Sequence, residues 1–343
     1  MNVKVMKHID RGSIAALATL LVVSVDTVRA QKQATTLFAL AARTPLVLRA
    51  RVQERREDGD RLRLTLTLVE ALRGQAKVPL EISEGRAHHC GATCHGLEVG
   101  SELLVFADEY DGRLLVRGAS RGLVHENAER TKLVRALLAP LDNAERLRLA
   151  IAAVASSDAR IAEDAALALP TLPSLEQLEA SDKARLRAAL NVQLDSSSPA
   201  LFGLVQAALR AEPSAAAAAA WRIWLDEDRG SWHGFAAEVL TREVQPQLCI
   251  DSLELASTTD QQRRRVASLF RETSSEARGD ALLRQLASDD DERVRAEAVA
   301  SLLLRGADPG QVTDGTRVRA RAIVDATLAQ RAKKRTFGAT KRR

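Results

Sequence analysis

Arg61-Leu-Arg-Leu-Thr-Leu-Thr-Leu68 decides the fold of the first part of this chain, because it places four leucines at alternate positions with arginine and threonine between them. This alternation is the period of a half-buried β-strand. After about residue 125, apolar residues recur instead at every third or fourth position, which predicts α-helices. At 343 residues the chain can form more than one core. The sequence therefore predicts an α+β multidomain protein, with a β domain at 31–125 and an all-α domain at 126–330.

The β domain is predicted to contain five strands. A short helix at 36–42 precedes them, and turn residues separate them, among them Glu57-Asp-Gly-Asp60 and Asp111-Gly112. Each predicted strand has one apolar face. The strands lie at 46–52, 61–71, 78–82, 102–107 and 113–117. This pattern favours a small closed or partly closed β-barrel.

Three stretches of this domain carry a resemblance to a known family. They are Arg43-Thr-Pro-Leu-Val-Leu-Arg-Ala-Arg-Val52, Leu64-Thr-Leu-Thr-Leu-Val-Glu-Ala-Leu-Arg-Gly74 and Gly96-Leu-Glu-Val-Gly-Ser-Glu-Leu-Leu-Val-Phe-Ala107. Together they resemble the bacterial domains related to tissue inhibitors of metalloproteinases and netrin modules. The resemblance implies a five-stranded OB-like β-barrel in an exported protein. The eukaryotic inhibitors chelate the protease zinc with a Cys-x-Cys at the mature N-terminus, whereas the expected start here is Gln31-Lys32-Gln33. The fold is expected to carry over, but protease inhibition is not.

The helical domain contains a repeated segment. Residues 157–169 align with residues 290–302, and the matched pairs are Asp158/Asp291, Arg160/Arg293, Ile161/Val294, Ala165/Ala298 and Leu169/Leu302. The aspartate is predicted to cap its helix, and the aliphatic positions form one stripe that packs on a neighbouring helix. The unit 281–302 also resembles a HEAT repeat. The resemblance implies a HEAT-like helical repeat array, which offers an extended surface to a protein partner.

The first thirty residues are predicted to be a signal peptide. Lys4, Lys7 and Arg11 precede the uncharged apolar run Ile14–Val25, and Val28-Arg-Ala30 follows it. Twelve residues in a helix span about 18 Å, which is short of a hydrocarbon core about 30 Å thick. We therefore expect cleavage after Ala30, a periplasmic or secreted protein and no stable membrane span afterwards. The alternatives are an uncleaved anchor and a buried helix.

The loop His88-His89-Cys90-Gly91-Ala92-Thr93-Cys94-His95 holds five potential metal ligands in eight residues. In an exported protein Cys90 and Cys94 are candidates for a local disulfide, or they remain free thiols. The alternative is a zinc or copper site, with Cys90, Cys94 and one or two of His88, His89 and His95 as ligands. The extra residue in Cys-x3-Cys-His argues against covalent haem attachment. Cys249 lies in an apolar helical context and is expected to be a buried thiol.

The basic charge of the chain is concentrated at its C-terminus. The net charge is +5, but residues 331–343 carry +7 and residues 1–30 carry +2, so the rest carries −4. This distribution argues against a nucleic-acid binder, because such proteins usually carry their basic charge on a folded face. Residues 331–343 are predicted to be a disordered tail, which either is solvated without a role or touches anionic envelope surfaces.

The sequence carries no recognisable catalytic set. It contains no phosphate-binding loop and no His-Glu-x-x-His. His233 lies near three tryptophans, Trp221, Trp224 and Trp232, which form either the core of a helix pair or a recognition site. The leading hypothesis is an exported, non-enzymatic protein-interaction scaffold of the bacterial cell envelope, with no cofactor. The rivals are a zinc- or copper-binding protein and, in a cytoplasmic protein, a nucleic-acid enzyme of the HEAT-like glycosylase type.

Overall fold

The computed structural model describes residues 35–58, 61–76, 80–85, 97–111, 113–195, 198–244, 246–253, 258–271 and 277–340. Within these ranges the protein is α+β, with an antiparallel sheet followed by helices. A short helix, α1 (Leu37–Arg43), precedes the sheet. Thr36 caps this helix, because its side-chain oxygen accepts the N–H of Ala39 at 3.2 Å.

Six strands of the sheet lie in the described ranges. Their bounds are β1 Leu46–Asp58, β2 Arg61–Arg73, β3 Glu81–Gly85, β4 Glu102–Tyr110, β5 Arg113–Val116 and β6 Leu123–His125. The order is β3-β2-β1-β4-β5, and every pairing is antiparallel. β6 pairs with Leu103–Val105 of β4, and β5 pairs with the following half of the same strand. β6 was not predicted from the sequence, because it is only three residues long.

The alternating stretch forms β2, but one of its four leucines leaves the pattern. Leu62, Leu64 and Leu66 are at most 5% exposed, whereas Leu68 is 45% exposed. Leu68 pairs with Ala50, and the β1–β2 register is irregular between Arg49 and Ala50. A bulge changes the direction of neighbouring side chains, so the strict alternation ends there.

Of the two predicted forms, closed and partly closed, the described strands do not form the closed barrel. β3 and β5, the two ends of the strand path, lie alongside each other without a hydrogen-bonded ladder between them in the described ranges. The sheet is therefore curled but open. Its concave core contains Leu48, Val52, Leu64 and Val105.

The middle of the sheet is buried on both faces. Val47 and Phe106 lie on the opposite side of the pleat from that core, and both are fully buried. Gly74 ends β2 at a φ of +71°, and a Cβ there would lie 2.7 Å from the carbonyl oxygen of Pro45. Only glycine fits this turn without strain, because the left-handed backbone and the close contact both exclude a side chain.

Twelve α-helices follow the strands in the described ranges. Their bounds are α2 Ala128–Leu138, α3 Asn143–Ala153, α4 Ala159–Ala168, α5 Ala180–Gln193, α6 Pro199–Ala211, α7 Pro213–Leu225, α8 His233–Glu238, α9 Pro246–Asp251, α10 Asp260–Leu269, α11 Ala277–Leu286, α12 Glu292–Leu304 and α13 Asp314–Thr340. We expected a disordered tail from residue 331, but α13 continues through Ala332 to Thr340. Alanine, lysine and arginine are good helix formers, which lets the helix extend into the basic segment. In the described residues no helix has both the length and the hydropathy that a membrane crossing needs.

The described residues divide into two compact units, one ending at Ala207 and the other beginning at Ala208. The change of sequence period falls elsewhere, between residues 125 and 126, where the strands end and the helices begin. Helices α2 to α5 belong with the sheet, and α2 is joined to β2 by an ion pair between Arg135 and Glu70, with N and O 2.7 Å apart.

A buried carboxylate fixes α1 to this first unit. Asp164 of α4 is fully buried and accepts the backbone N–H of Leu37 at 2.8 Å. Its two oxygens also pair with Arg121 at 2.6 Å and with Arg160 at 2.7 Å. Because the charge is paired twice and accepts a backbone N–H, α1, α4 and the 3-10 turn Ala119–Gly122 are held together.

Candidate functional site

The residues of the predicted metal loop, His88, His89, Cys90, Cys94 and His95, lie outside the described residues. Within the described ranges, no group of three or more His, Cys, Asp or Glu side chains could hold a metal ion. The predicted mature start at Gln31 also lies outside the described part of the chain.

Cys249, the third cysteine, is a buried free thiol, as the sequence predicted. It is 1% exposed in α9. Burial raises the pKa of the Cys249 thiol to about 12, because desolvation disfavours the thiolate. The residue therefore stays protonated at neutral pH and is not a nucleophile or a metal ligand there.

The tryptophan-rich segment is held by hydrogen bonds within the protein. Trp221 is 2% exposed and donates its indole N–H to the carbonyl of Cys249 at 2.7 Å. Trp224 donates to the carbonyl of Arg265 at 3.2 Å, and its ring meets His233 edge-on with centroids 5.4 Å apart. Nε2 of His233 lies 2.7 Å from the carbonyl oxygen of Asp226. These contacts give Trp221, Trp224 and His233 structural roles.

The repeated segment carries a contact that links the starts of two helices, α2 and α4. Arg130, in the first turn of α2, donates from Nε to Asp158 Oδ2 at 2.8 Å and from Nη2 to Asp158 Oδ1 at 3.1 Å. Its Nη1 donates to the carbonyl of His125 at 2.9 Å. Asp158 also caps α4 by accepting the N–H of Ile161 at 3.1 Å. We call this arrangement the first clamp: one guanidinium ties the turn before α2 to the turn before α4, across α3.

A second clamp occurs 133 positions later, at the same separation as the aligned pair Asp158/Asp291. Arg263 of α10 donates from Nε to Asp289 Oδ2 at 2.7 Å and from Nη1 to the carbonyl of Thr258 at 2.7 Å. Asp291 caps α12 by accepting the N–H of Val294 at 2.9 Å. The arginine and the carbonyl of the two clamps thus occupy equivalent sequence positions.

The acceptor is the part that differs between the clamps. In the first clamp Asp158 is both the partner of the arginine and the helix cap, and the hydroxyl of Ser156 accepts its N–H at 3.0 Å. In the second clamp Asp289 stands at the position equivalent to Ser156, pairs with the arginine and accepts the N–H of Asp291 at 2.9 Å. In the second clamp, therefore, Asp289 binds the arginine and Asp291 caps the helix, whereas Asp158 does both in the first clamp.

Hydrogen bonds lower the pKa of both clamp carboxylates. Burial by itself would raise the pKa of Asp158, but the bonds from Arg130 and Asn127 outweigh it. For Asp289, the bond from Arg263 and the N–H of Asp291 outweigh the same effect of burial. Both groups are therefore ionised at neutral pH.

The repeat predicted over thirteen residues extends to a three-helix unit. Helices α2, α3 and α4 have counterparts in α10, α11 and α12 at nearly the same 133-residue separation. The aligned stripe positions are buried in both copies, with exposures of 2% or less at Ile161/Val294, Ala165/Ala298 and Leu169/Leu302. The sequence alignment of 157–169 with 290–302 covers the third helix of each copy but not the first. Arg130 and Arg263, in the first helices, are separated by the same 133 positions.

A separate cleft of about 490 Å³ lies in the first unit between α1, α3 and the segment after α4. Its apolar lining includes Phe38, Leu172 and Pro173. Its polar lining includes Arg43 at the end of α1 and Arg146 in α3. Nothing in the residue pattern pointed to this cleft, because its two arginines are about a hundred residues apart and neither belongs to a motif.

Comparison of the chain with protein-family models, with curated proteins and with solved structures gives no match.

Proposed function

We propose that this protein is an exported, non-enzymatic scaffold of the cell envelope whose helices bind a protein partner. The observation that carries the proposal is the recurrence of a clamped three-helix unit, α2–α4 and α10–α12. Repeated helical units bury one stripe against their neighbours and leave other faces for a partner. The clamps stabilise the turns between helices, so the exposed faces are presented in a fixed form.

The domain types belong to the same proposal. We infer an OB-like module for the sheet and a HEAT-like array for the helices. The curled antiparallel sheet and Gly74 at the end of its long second strand support the first inference. The acidic caps Asp158 and Asp291 and the matched buried stripes support the second.

The test is affinity capture of the mature protein from envelope extracts of the source bacterium. α13 exposes two apolar side chains, Val318 at 70% and Leu328 at 49%. The test variant is Val318→Glu with Leu328→Glu, and the control is Val99→Glu with Leu115→Glu, which changes two exposed apolar residues of the other unit.

We expect wild type and control to retain the same stoichiometric partner and the α13 variant to lose most of it. A wild-type protein that retains nothing above the resin blank contradicts the scaffold. Equal retention by all three proteins shows that α13 is not the binding surface.

The alternative function is transition-metal binding by His88, His89, Cys90, Cys94 and His95. The observation in its favour is the concentration of five soft or borderline ligands in eight residues. The test is the zinc and copper content of the mildly reduced protein, beside a Cys90→Ser, Cys94→Ser variant. A metal site predicts near-equimolar metal in the wild type only, whereas background metal in both proteins rejects it.

A further inference from the structure

We propose that the cleft between α1 and α3 binds a small organic anion, a carboxylate or phosphate group carried on a short apolar chain. The volume of about 490 Å³ lies in the range of small-molecule sites, roughly 300–1,000 Å³. All of its lining residues belong to the first compact unit. The cleft therefore shares no residue with the α13 surface proposed above to bind a protein partner.

Two guanidinium groups give the cleft its charge. Arg43 and Arg146 both line it, and no aspartate or glutamate side chain does so among the described residues. Within the described part of the chain, neither guanidinium has a hydrogen-bond or ion-pair partner. Other arginines of the same unit, such as Arg121 and Arg130, are paired with carboxylates. Two unpaired guanidinium groups facing one cleft attract an anion and offer it bidentate hydrogen bonds.

The nearest acidic residues in the sequence are engaged elsewhere. Asp142 and Glu145 form a capping box at the start of α3. Asp142 Oδ1 accepts the N–H of Glu145 at 2.7 Å, and Glu145 Oε2 accepts the N–H of Asp142 at 2.9 Å. Because both carboxylates are bound to the helix backbone, neither is an ion-pair partner of Arg146.

The remaining lining decides the kind of anion. Asn143 adds an amide that can donate to an oxyanion, while Thr171 already donates its hydroxyl to the carbonyl of Ala168 at 2.7 Å. Phe38 and Leu172 are 6% and 8% exposed and provide an apolar contact beside the charged groups. A fully hydrated inorganic anion would leave this apolar lining unused. An amphiphilic anion uses both parts of the cleft.

The experiment is calorimetric titration of the full chain with octanoate, octyl phosphate, inorganic phosphate and octylamine. We expect saturable binding of octanoate and octyl phosphate, much weaker binding of inorganic phosphate and none of octylamine. The tighter of the two octyl ligands identifies the preferred head group.

The variants are Arg43→Gln and Arg146→Gln, with Arg148→Gln as the matched control. Arg148 is exposed on the same helix as Arg146 and does not line the cleft. Each cleft variant is expected to weaken binding at least about tenfold, because it removes a charge-assisted hydrogen bond. The control is expected to bind as the wild type does. Ala42→Phe adds a ring to the cleft lining and is expected to abolish binding without a change of charge.

Unchanged melting temperatures show that the variants are folded. The proposal is overturned if the wild type binds neither octyl anion at millimolar concentration, or if octylamine binds as well as octanoate. It is also overturned if Arg148→Gln weakens binding as much as the two cleft variants do.

Discussion

Arg130 and Arg263 each bind a carboxylate and a backbone carbonyl with one planar guanidinium group. The guanidinium offers five N–H donors in a fixed fork, so a single side chain can bind a carboxylate twice and still reach a carbonyl. In both clamps that carbonyl lies five residues before the arginine, at His125 and at Thr258. Lysine could not replace either arginine, because its single ammonium cannot hold the same three acceptors in one plane.

Replacing a clamp arginine should destabilise the fold. Arg130→Gln leaves Asp158 without its ion pair, although the carboxylate is only 8% exposed. We expect a loss of about 1.5–3 kcal/mol in the free energy of unfolding, the usual worth of hydrogen bonds to charged groups. Urea denaturation measures it, and the exposed Arg148→Gln serves as the control. A loss below about 0.5 kcal/mol would mean that the clamp is only a surface ion pair.

The same clamps predict how stability depends on pH. The folded pKa values of Asp158 and Asp289 lie below the ordinary value of 3.8. A lowered folded pKa contributes stability above the unfolded pKa, and this contribution is lost as the pH falls through the folded value. The stability gap between the wild type and an Arg130→Gln, Arg263→Gln variant should therefore narrow as the pH falls from 5 towards 2.5. Urea midpoints across that range test the sign, and a gap that widens in acid would contradict it.

At the scale of elements, one carboxylate decides whether α1 stays docked. Asp164→Asn removes the charge that pairs with Arg121 and Arg160 and leaves both guanidinium groups half-buried. Breaking a buried pair in this way costs about 3–5 kcal/mol. Amide exchange should report faster opening at Leu37, whose N–H Asp164 accepts. Glu163→Gln, which changes the neighbouring and partly exposed partner of Arg121, is the control and should have a much smaller effect.

The approach of α6 to α4 depends on a residue without a side chain. A Cβ on Gly203 would lie 2.3 Å from the carbonyl oxygen of Ala166. Because the obstacle is backbone, the helices must move apart in Gly203→Ala, at a cost of about 1–3 kcal/mol.

Gly234→Ala is the matched comparison for this change. A Cβ at Gly234, in α8, meets nothing within 4 Å, so we expect it to be neutral or slightly stabilising. The comparison needs only the thermal unfolding temperatures of the two variants. Similar unfolding temperatures for Gly203→Ala and Gly234→Ala would contradict the close contact between α4 and α6.

Elements were predictable from the sequence where a short period controls them. The alternation of Leu62, Leu64 and Leu66 predicted β2. Asp158 and Asp291 were predicted to be helix caps, and they cap α4 and α12. Contacts between distant segments were not predictable. The pairing of Asp164 with Leu37 spans 127 positions, and no local pattern signals it. The cleft depends in the same way on Arg43 and Arg146 being brought together by folding.

For the whole molecule, the change of sequence period and the division into compact units fall at different places. The helices from Ala128 to Gln193 follow the change of period and belong to the same compact unit as the sheet. The sequence period changes near residue 125 because the type of element changes there, not because the core ends. Periodicity reports local structure, whereas unit boundaries depend on which surfaces pack together.

Export is a prediction about the whole protein. Expressed in a bacterial host with a C-terminal tag, the chain should be recovered outside the cytoplasm with Gln31 as its first residue. The reason is the order of basic, apolar and small residues in 1–30. Cell fractionation with N-terminal sequencing measures it. An intact Met1 in the cytoplasmic fraction would contradict export and reopen the glycosylase-type alternative.

The two clamps also bear on how separable the two three-helix units are. A guanidinium, a carbonyl and a helix cap recur in register 133 positions apart. The carboxylate that binds the arginine is the cap itself in the first unit, Asp158, and lies two positions before the cap in the second, Asp289. Because the two segments match in length and in the order of their helices, a chimaera carrying residues 126–169 in place of 259–302 would measure how far each unit depends on its own neighbours.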